Sequence, residues 1–241
     1  MKIRIRFAKR GTMRFIGHLD IMRYFQKSMR RAHVDICYSQ GFSPHQIMSF
    51  ASPLGIGLTS EGEYMDIEVN SSESSKAMIR RLNEVMAEGM EILSWVRLPE
   101  EGKTNAMANI AAADYRVTLH GTAVQELTRS ERAASGAEIA ALWESFLEQK
   151  EIMIHKVTKK NEMDVDIRPL IFDASCEGDT FTLRLSSGSV QNLKPEAVME
   201  AFFAWAGASL PEHALSICRL DMFALREEKL VSLEFLGEVI A

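Results

Sequence analysis

Residues 9–64 read KRGTMRFIGHLDIMRYFQKSMRRAHVDICYSQGFSPHQIMSFASPLGIGLTSEGEY, and the fold hangs on what this stretch separates. From His18 to Ala32 the apolar residues recur with a helical period. Met22, Phe25, Met29 and Ala32 share one face, while Arg23, Lys27, Arg30 and Arg31 lie almost opposite. Beyond Ala32 comes a long segment rich in glycine, serine and proline. A loop of that length inside a compact domain is either functional or disordered. Its Phe42, Ile47, Met48, Phe50, Leu54 and Ile56 argue for order, because that much apolar surface would be buried.

Outward from this stretch the pattern changes to alternation. Lys2–Ala8 sets Ile3, Ile5 and Phe7 against Lys2, Arg4 and Arg6, the signature of a half-buried strand. Glu63–Val69 repeats it with Met65, Ile67 and Val69 inward. Ser74–Ala87 then has helical spacing, with serines able to cap its start, and Glu91–Leu98 reads as a strand. With a short strand inside the loop, this order is the ferredoxin-like βαββαβ pattern, which sets the first and third strands side by side. Arg4 and Arg6 are then expected to face Asp66 and Glu68 on the open side of the sheet.

Residues 1–98 are therefore expected to form one domain, 99–111 a linker and 112–241 a second domain. In the second, strands are expected at 112–120, 151–158, 163–168, 181–186 and 214–222, with helices at 137–149 and 194–206. The expected class is α+β, two ferredoxin-like units with antiparallel sheets.

The chain has 241 residues and a net charge of −5, but the charge is unevenly spread. Residues 1–50 hold ten Lys/Arg against Asp20 and Asp35, a balance of +8 that leaves −13 for the rest. Such asymmetry points to a polyanionic partner, nucleic acid first. The alternative is that the two ends neutralise each other across the fold. Three widely spaced cysteines, Cys37, Cys176 and Cys218, suit a reducing compartment and exclude a disulfide framework or a CxxC metal site. The charged start MKIRIRFAKR lacks the apolar core of a signal peptide, and no apolar run is long enough to span a bilayer. A cytoplasmic location is expected.

Several residues invite a chemical reading. His18, Asp20 and His45, with Cys37 nearby in sequence, have the side chains of a metal site. Asp20 can equally cap the helix dipole and pair with Arg23, so no metal is expected. His18 and His45, with Asp20, remain candidates for acid–base work. Lys9, Arg10, Arg14, Arg23, Lys27, Arg30 and Arg31 are candidates for phosphate contact. Gln40, Phe42 and Ser43 in SQGFSPH offer hydrogen-bonding groups and a ring to an RNA base, although such a phenylalanine more often pins its loop to the core. PLGIGLTSEG lacks the Gly-Lys-Ser/Thr ending of a phosphate-binding loop. In the second half, Lys160 and Arg168 in KKNEMDVDIRP are weaker phosphate candidates. Lys194, before Pro195 at an expected helix start, disfavours the dipole unless an anion is near.

KIRIRFAKRGTMRFIGHLDIMRYFQKSMRRA followed by YSQGFSPHQIMSFASPLGIGLTSEGEYMDIEV resembles the bacterial radical SAM-linked domain family, closely over residues 1–70 and more loosely through DIRP at 166–169 and NLKP at 192–195. Members of that family are fused to, or encoded beside, a radical SAM protein, often near genes for ribosomal proteins and ribonuclease G. The resemblance implies a stand-alone partner of a radical SAM enzyme that works on tRNA, rRNA or the translation apparatus. The enzyme itself would carry the iron–sulfur cluster and S-adenosylmethionine, since this chain has no CxxxCxxC and needs no cofactor of its own. The paired layout also looks like that of CRISPR repeat endoribonucleases and tRNA pseudouridine synthases, but the Arg-Thr-Asp-x-Gly motif of the synthases is absent. The expected function is an accessory RNA-binding module. The alternatives are a stand-alone RNA-processing enzyme using histidine, and a protein-interaction subunit without RNA contact.

Overall fold

The alternation of Lys2–Lys9 does make a strand, β1. In the computed structural model, which describes residues 1–100, 105–130, 132–133, 138–157, 162–188 and 191–241, the elements then follow in order. They are α1 (His18–Arg31), β2 (Met48–Phe50), β3 (Thr59–Glu68), α2 (Ser75–Asn83), β4 (Met90–Arg97), α3 (Ala106–Asn109), β5 (Ile110–Leu119) and α4 (Gly121–Thr128). After these come α5 (Ile139–Leu147), β6 (Met153–Val157), β7 (Glu162–Asp166), β8 (Ile171–Glu177), β9 (Thr180–Ser186), α6 (Pro195–Ala206), β10 (Leu215–Arg226), β11 (Lys229–Ser232) and β12 (Glu238–Val239). The fold mixes helices with a large, mostly antiparallel sheet. Two compact units form: Met1–Ala112 with Arg219–Ala241, and Ala113–Cys218.

In the first unit β1 is central, antiparallel to β3 and β4, with Ile5 opposite both Met65 and Trp95. The short β2 lines the other side of β3, and β12 lines β4. Ile3, Ile5 and Phe7 face a core to which α1 contributes Ile21, Phe25 and Met29 and α2 contributes Met78 and Leu82. Phe7, Phe25 and Phe50 meet edge to face, with Phe7 and Phe25 centroids 4.7 Å apart. Ser74 caps α2 by accepting a hydrogen bond from the Ala77 backbone at 3.3 Å.

The opposite face of β1 is not open. Residues 219–241, grouped by the sequence with the second half, belong to the first unit, and the turn Leu233–Leu236 packs against β1. Arg4 is completely buried, paired with Asp66 at 2.8 Å and donating to the Leu233 carbonyl at 3.1 Å. Arg6 lies opposite Tyr64 rather than Glu68, and its guanidinium reaches Glu234 at 2.8 Å. Part of the expected linker is structured: Ala106–Asn109 is a helical turn capped by Asn105, and β5 begins at Ile110. Residues 101–104 lie outside the described residues.

The second unit packs α5 and α6 around one aromatic core. Trp143 sits 4.9 Å from Phe181 and 5.0 Å from Phe202. Pro195 opens α6, as its fixed φ favours, and Gly207 ends it at φ 75° in the left-handed region. β8 pairs antiparallel with β9, whereas β6 and β7 form a separate two-stranded sheet. No helix among the described residues is long and apolar enough to cross a membrane.

Candidate nucleic-acid interface

The ten cations of residues 1–50 divide sharply by burial. Lys9, at the end of β1, is 3% exposed, and its ammonium donates to the Ile16 carbonyl at 2.9 Å and the Arg14 carbonyl at 3.4 Å. Burial pushes its pKa down, offset in part by Glu63 and reinforced by Arg219. It fixes the turn before α1 and offers nothing to a phosphate. Arg10 is held by Glu61, with hydrogen bonds of 2.8 and 3.0 Å, and by Glu91, and these contacts raise its pKa. Arg14 is exposed and stacks its guanidinium over Phe15, 4.8 Å from the ring centroid.

On α1 the outcome differs. Arg23, Lys27 and Arg30 recur at i, i+4 and i+7, so they share one face, and all three are exposed. Arg23 meets Asp20 at 3.4 Å, with both side chains about two-thirds exposed or more (70% and 66%), a contact of little strength. Among the described residues no ion pair engages Lys27 or Arg30. Arg31 is turned aside, donating to Ser28 Oγ at 3.0 Å and to the Val85 carbonyl at 3.1 Å. Arg30 and Arg31 also lie in the last turn, where cations suit the helix dipole.

The loop after α1 is a braced hairpin. Tyr38 bridges Gln46, the Ser39 amide donates to the His45 carbonyl at 2.8 Å, and the His45 amide donates to Ser39 Oγ at 3.1 Å. Gln46 Nε2 donates to the Gln26 carbonyl of α1 at 3.2 Å, which roots the hairpin beside the basic helix. Gln40, Phe42 and Ser43 form its exposed tip.

The three acid–base candidates have separate surroundings. His18 opens α1, with its ring edge-on to Phe50 at 5.3 Å. Asp20 lies two residues further on, about 200° around the helix, so the pair does not share a face. His45 Nδ1 is 2.8 Å from Ser39 Oγ. Among the described residues, no group of three His, Cys, Asp or Glu side chains is placed to hold a metal ion.

In the second unit, Arg168 donates from Nε to the Leu147 carbonyl at 3.0 Å, while its own amide, rather than its guanidinium, takes Asp166 at 3.0 Å. Lys194 is the exposed N-cap of α6 and makes no side-chain cap; it lines an open cavity of about 730 Å³ with His155 and Lys156. Lys160 lies outside the described residues.

Two features escaped the sequence reading. Arg219, 3% exposed, forms a two-pronged pair with the buried Glu63 at 2.8 and 2.7 Å and also reaches the Ser52 carbonyl. Glu63 and Lys9 line a cavity of about 20 Å³ with His18 and Ser52, room for about one water molecule. Phe15, Leu19 and Ile56 are all more than half exposed, at 61%, 63% and 67%. A count of charges and an apolar period signal neither, because both depend on which distant segments cover them.

The search of curated proteins finds none that matches this chain. Residues 2–195 match the model of a bacterial family described as "Uncharacterized protein conserved in bacteria (DUF2344)", and the chain belongs to that family.

Proposed function

We propose that the first unit binds tRNA or rRNA along α1 and works as an accessory module for a radical SAM protein. The observation that carries the RNA half of this reading is the exposed row Arg23, Lys27 and Arg30, one cation per turn, to which, among the described residues, Asp20 alone offers an ion pair. Evenly spaced cations on one face suit a backbone of regularly spaced phosphates, which contribute affinity without reading sequence. Arg14, exposed at the turn before α1, is a further candidate for phosphate contact. Lys9, Arg31 and Arg168, bound to backbone carbonyls, and Arg10, held by Glu61 and Glu91, drop out of the contact set.

The partner half rests on the resemblance of residues 1–70 to the radical SAM-linked family. The partner would bring the iron–sulfur cluster and S-adenosylmethionine, and the work would be cytoplasmic. The order β4-β1-β3-β2, flanked by α1 and α2, supports reading the first unit as ferredoxin-like. A second such unit in residues 113–218 would share its paired helices but sets β6 and β7 apart.

The test is equilibrium binding of the purified chain to tRNA and to rRNA fragments at low salt, beside an Arg23→Ala/Lys27→Ala/Arg30→Ala variant. The reading expects the variant to bind about tenfold or more weakly. Equal affinity would contradict it.

A further inference from the structure

The hairpin between Tyr38 and Gln46 holds one side chain out in water. Phe42 is fully exposed, at 112% of the reference value, at the tip of a loop whose stem is fastened by three hydrogen bonds between Ser39 and His45. Gly41 beside it takes φ 115°, a backbone state that side-chain-bearing residues rarely adopt, and Pro44 restricts the residue before it. The ring therefore contributes no packing to the fold, yet the stem of the loop that carries it is fastened. The root of the same loop is bonded to Gln26, the residue before Lys27. Three residues separate Gln46 from Phe42, so even fully extended the four chain steps place the tip at most about 14 Å from that root. One nucleic-acid strand can meet both the ring and the basic row.

An exposed aromatic face on a braced stem beside a row of cations is an arrangement that binds unpaired nucleotides. Every base has a π-face, and stacking on an aromatic ring tolerates any sequence. A duplex hides those faces, so the ring would gain nothing from one. We infer that Phe42 is a stacking platform for an unpaired base, and that the RNA bound along α1 is single-stranded or looped rather than helical. Exposed Gln40 and Ser43 flank the ring and can hydrogen-bond the edge of the stacked base. This inference rests on the RNA reading of α1 and narrows its substrate class.

The test uses the full chain and an end-labelled single-stranded RNA of about 12 nucleotides, beside the same strand in duplex. Phe42→Ala should weaken single-strand binding on the order of tenfold, leave duplex binding unchanged, and be rescued by Phe42→Trp. The fluorescence of that introduced tryptophan should be quenched by the single strand and not by the duplex. If Phe42→Ala binds the single strand like the wild type while the α1 variant loses affinity, the platform fails and the RNA reading stands. An equal loss for both RNAs would also overturn the platform. Binding of neither RNA by the wild type would overturn both readings.

Discussion

The cations of β1 and those of α1 come from the same stretch of sequence and do opposite things. Arg4 and Lys9, joined by Arg219 from far along the chain, are at most 3% exposed and spend their charge on Asp66, Glu63 and backbone carbonyls. Arg23, Lys27 and Arg30 stand in solvent, and among the described residues only Arg23 has an ion-pair neighbour, a weak one. Charge bound inside a fold fixes its shape, since losing a partner leaves an ion without solvent. Charge left outside costs the fold nothing and remains available to a polyanion. The +8 balance of residues 1–50 therefore overstates the field the surface presents.

That contrast breaks most visibly at Glu63. Glu63→Ala strips the carboxylate from Arg219 and Lys9 in a nearly dry site and should cost about 3–5 kcal/mol, read as a lower urea midpoint. A loss like that of a surface substitution would mean the buried cluster is not holding the first unit together. Gly62 tests the same packing without charge. A Cβ added there would lie 2.5 Å from the Leu220 carbonyl oxygen, so Gly62→Ala should destabilise by about 1–3 kcal/mol in the same urea titration.

Asp35 gives the smallest effect, because it is exposed. Hydrogen bonds from Asn70 and then Ser71 hold its carboxyl below the usual carboxylate range. Its folded pKa lies under its unfolded one, so its contribution is complete above about pH 4 and is lost as pH falls through the folded value. Asp35→Asn should be slightly less stable than the wild type at neutral pH, and the gap should close in acid. A gap that does not change with pH would remove those hydrogen bonds from the account.

Much of the first unit was legible because its elements are strongly periodic. The alternation of Ile3, Ile5 and Phe7 gives β1, and the spacing of Phe25 and Met29 gives α1, whose exposed basic face follows directly. The pairing of Arg4 with Asp66 was legible from the strand register, but the burial of Arg4 and the turn of Arg6 to Glu234 were not, because the turn at Leu233–Leu236 that covers β1 lies far along the chain. Lys9 misled for a different reason: its acceptors are the nearby Arg14 and Ile16 carbonyls, and backbone acceptors carry no sequence signal. α4 was missed because Ala123 and Leu127 alone mark its buried face, and β8 because most of its residues are exposed or half-exposed. The hairpin at 38–46 was legible as a loop, but its bracing by Ser39 and His45 required the three-dimensional arrangement.

The central claim, that α1 engages phosphates, is tested most directly by the salt dependence of RNA affinity. Each phosphate neutralised releases counterions and steepens the plot of log affinity against log salt, by about 0.7 per contact on a single strand. Arg23→Ala/Lys27→Ala/Arg30→Ala should flatten that slope by about 2 while each substitution shifts folding stability by no more than about 0.5 kcal/mol. A slope unchanged in a variant that is still fully folded would contradict the claim and leave α1 as a solvated helix.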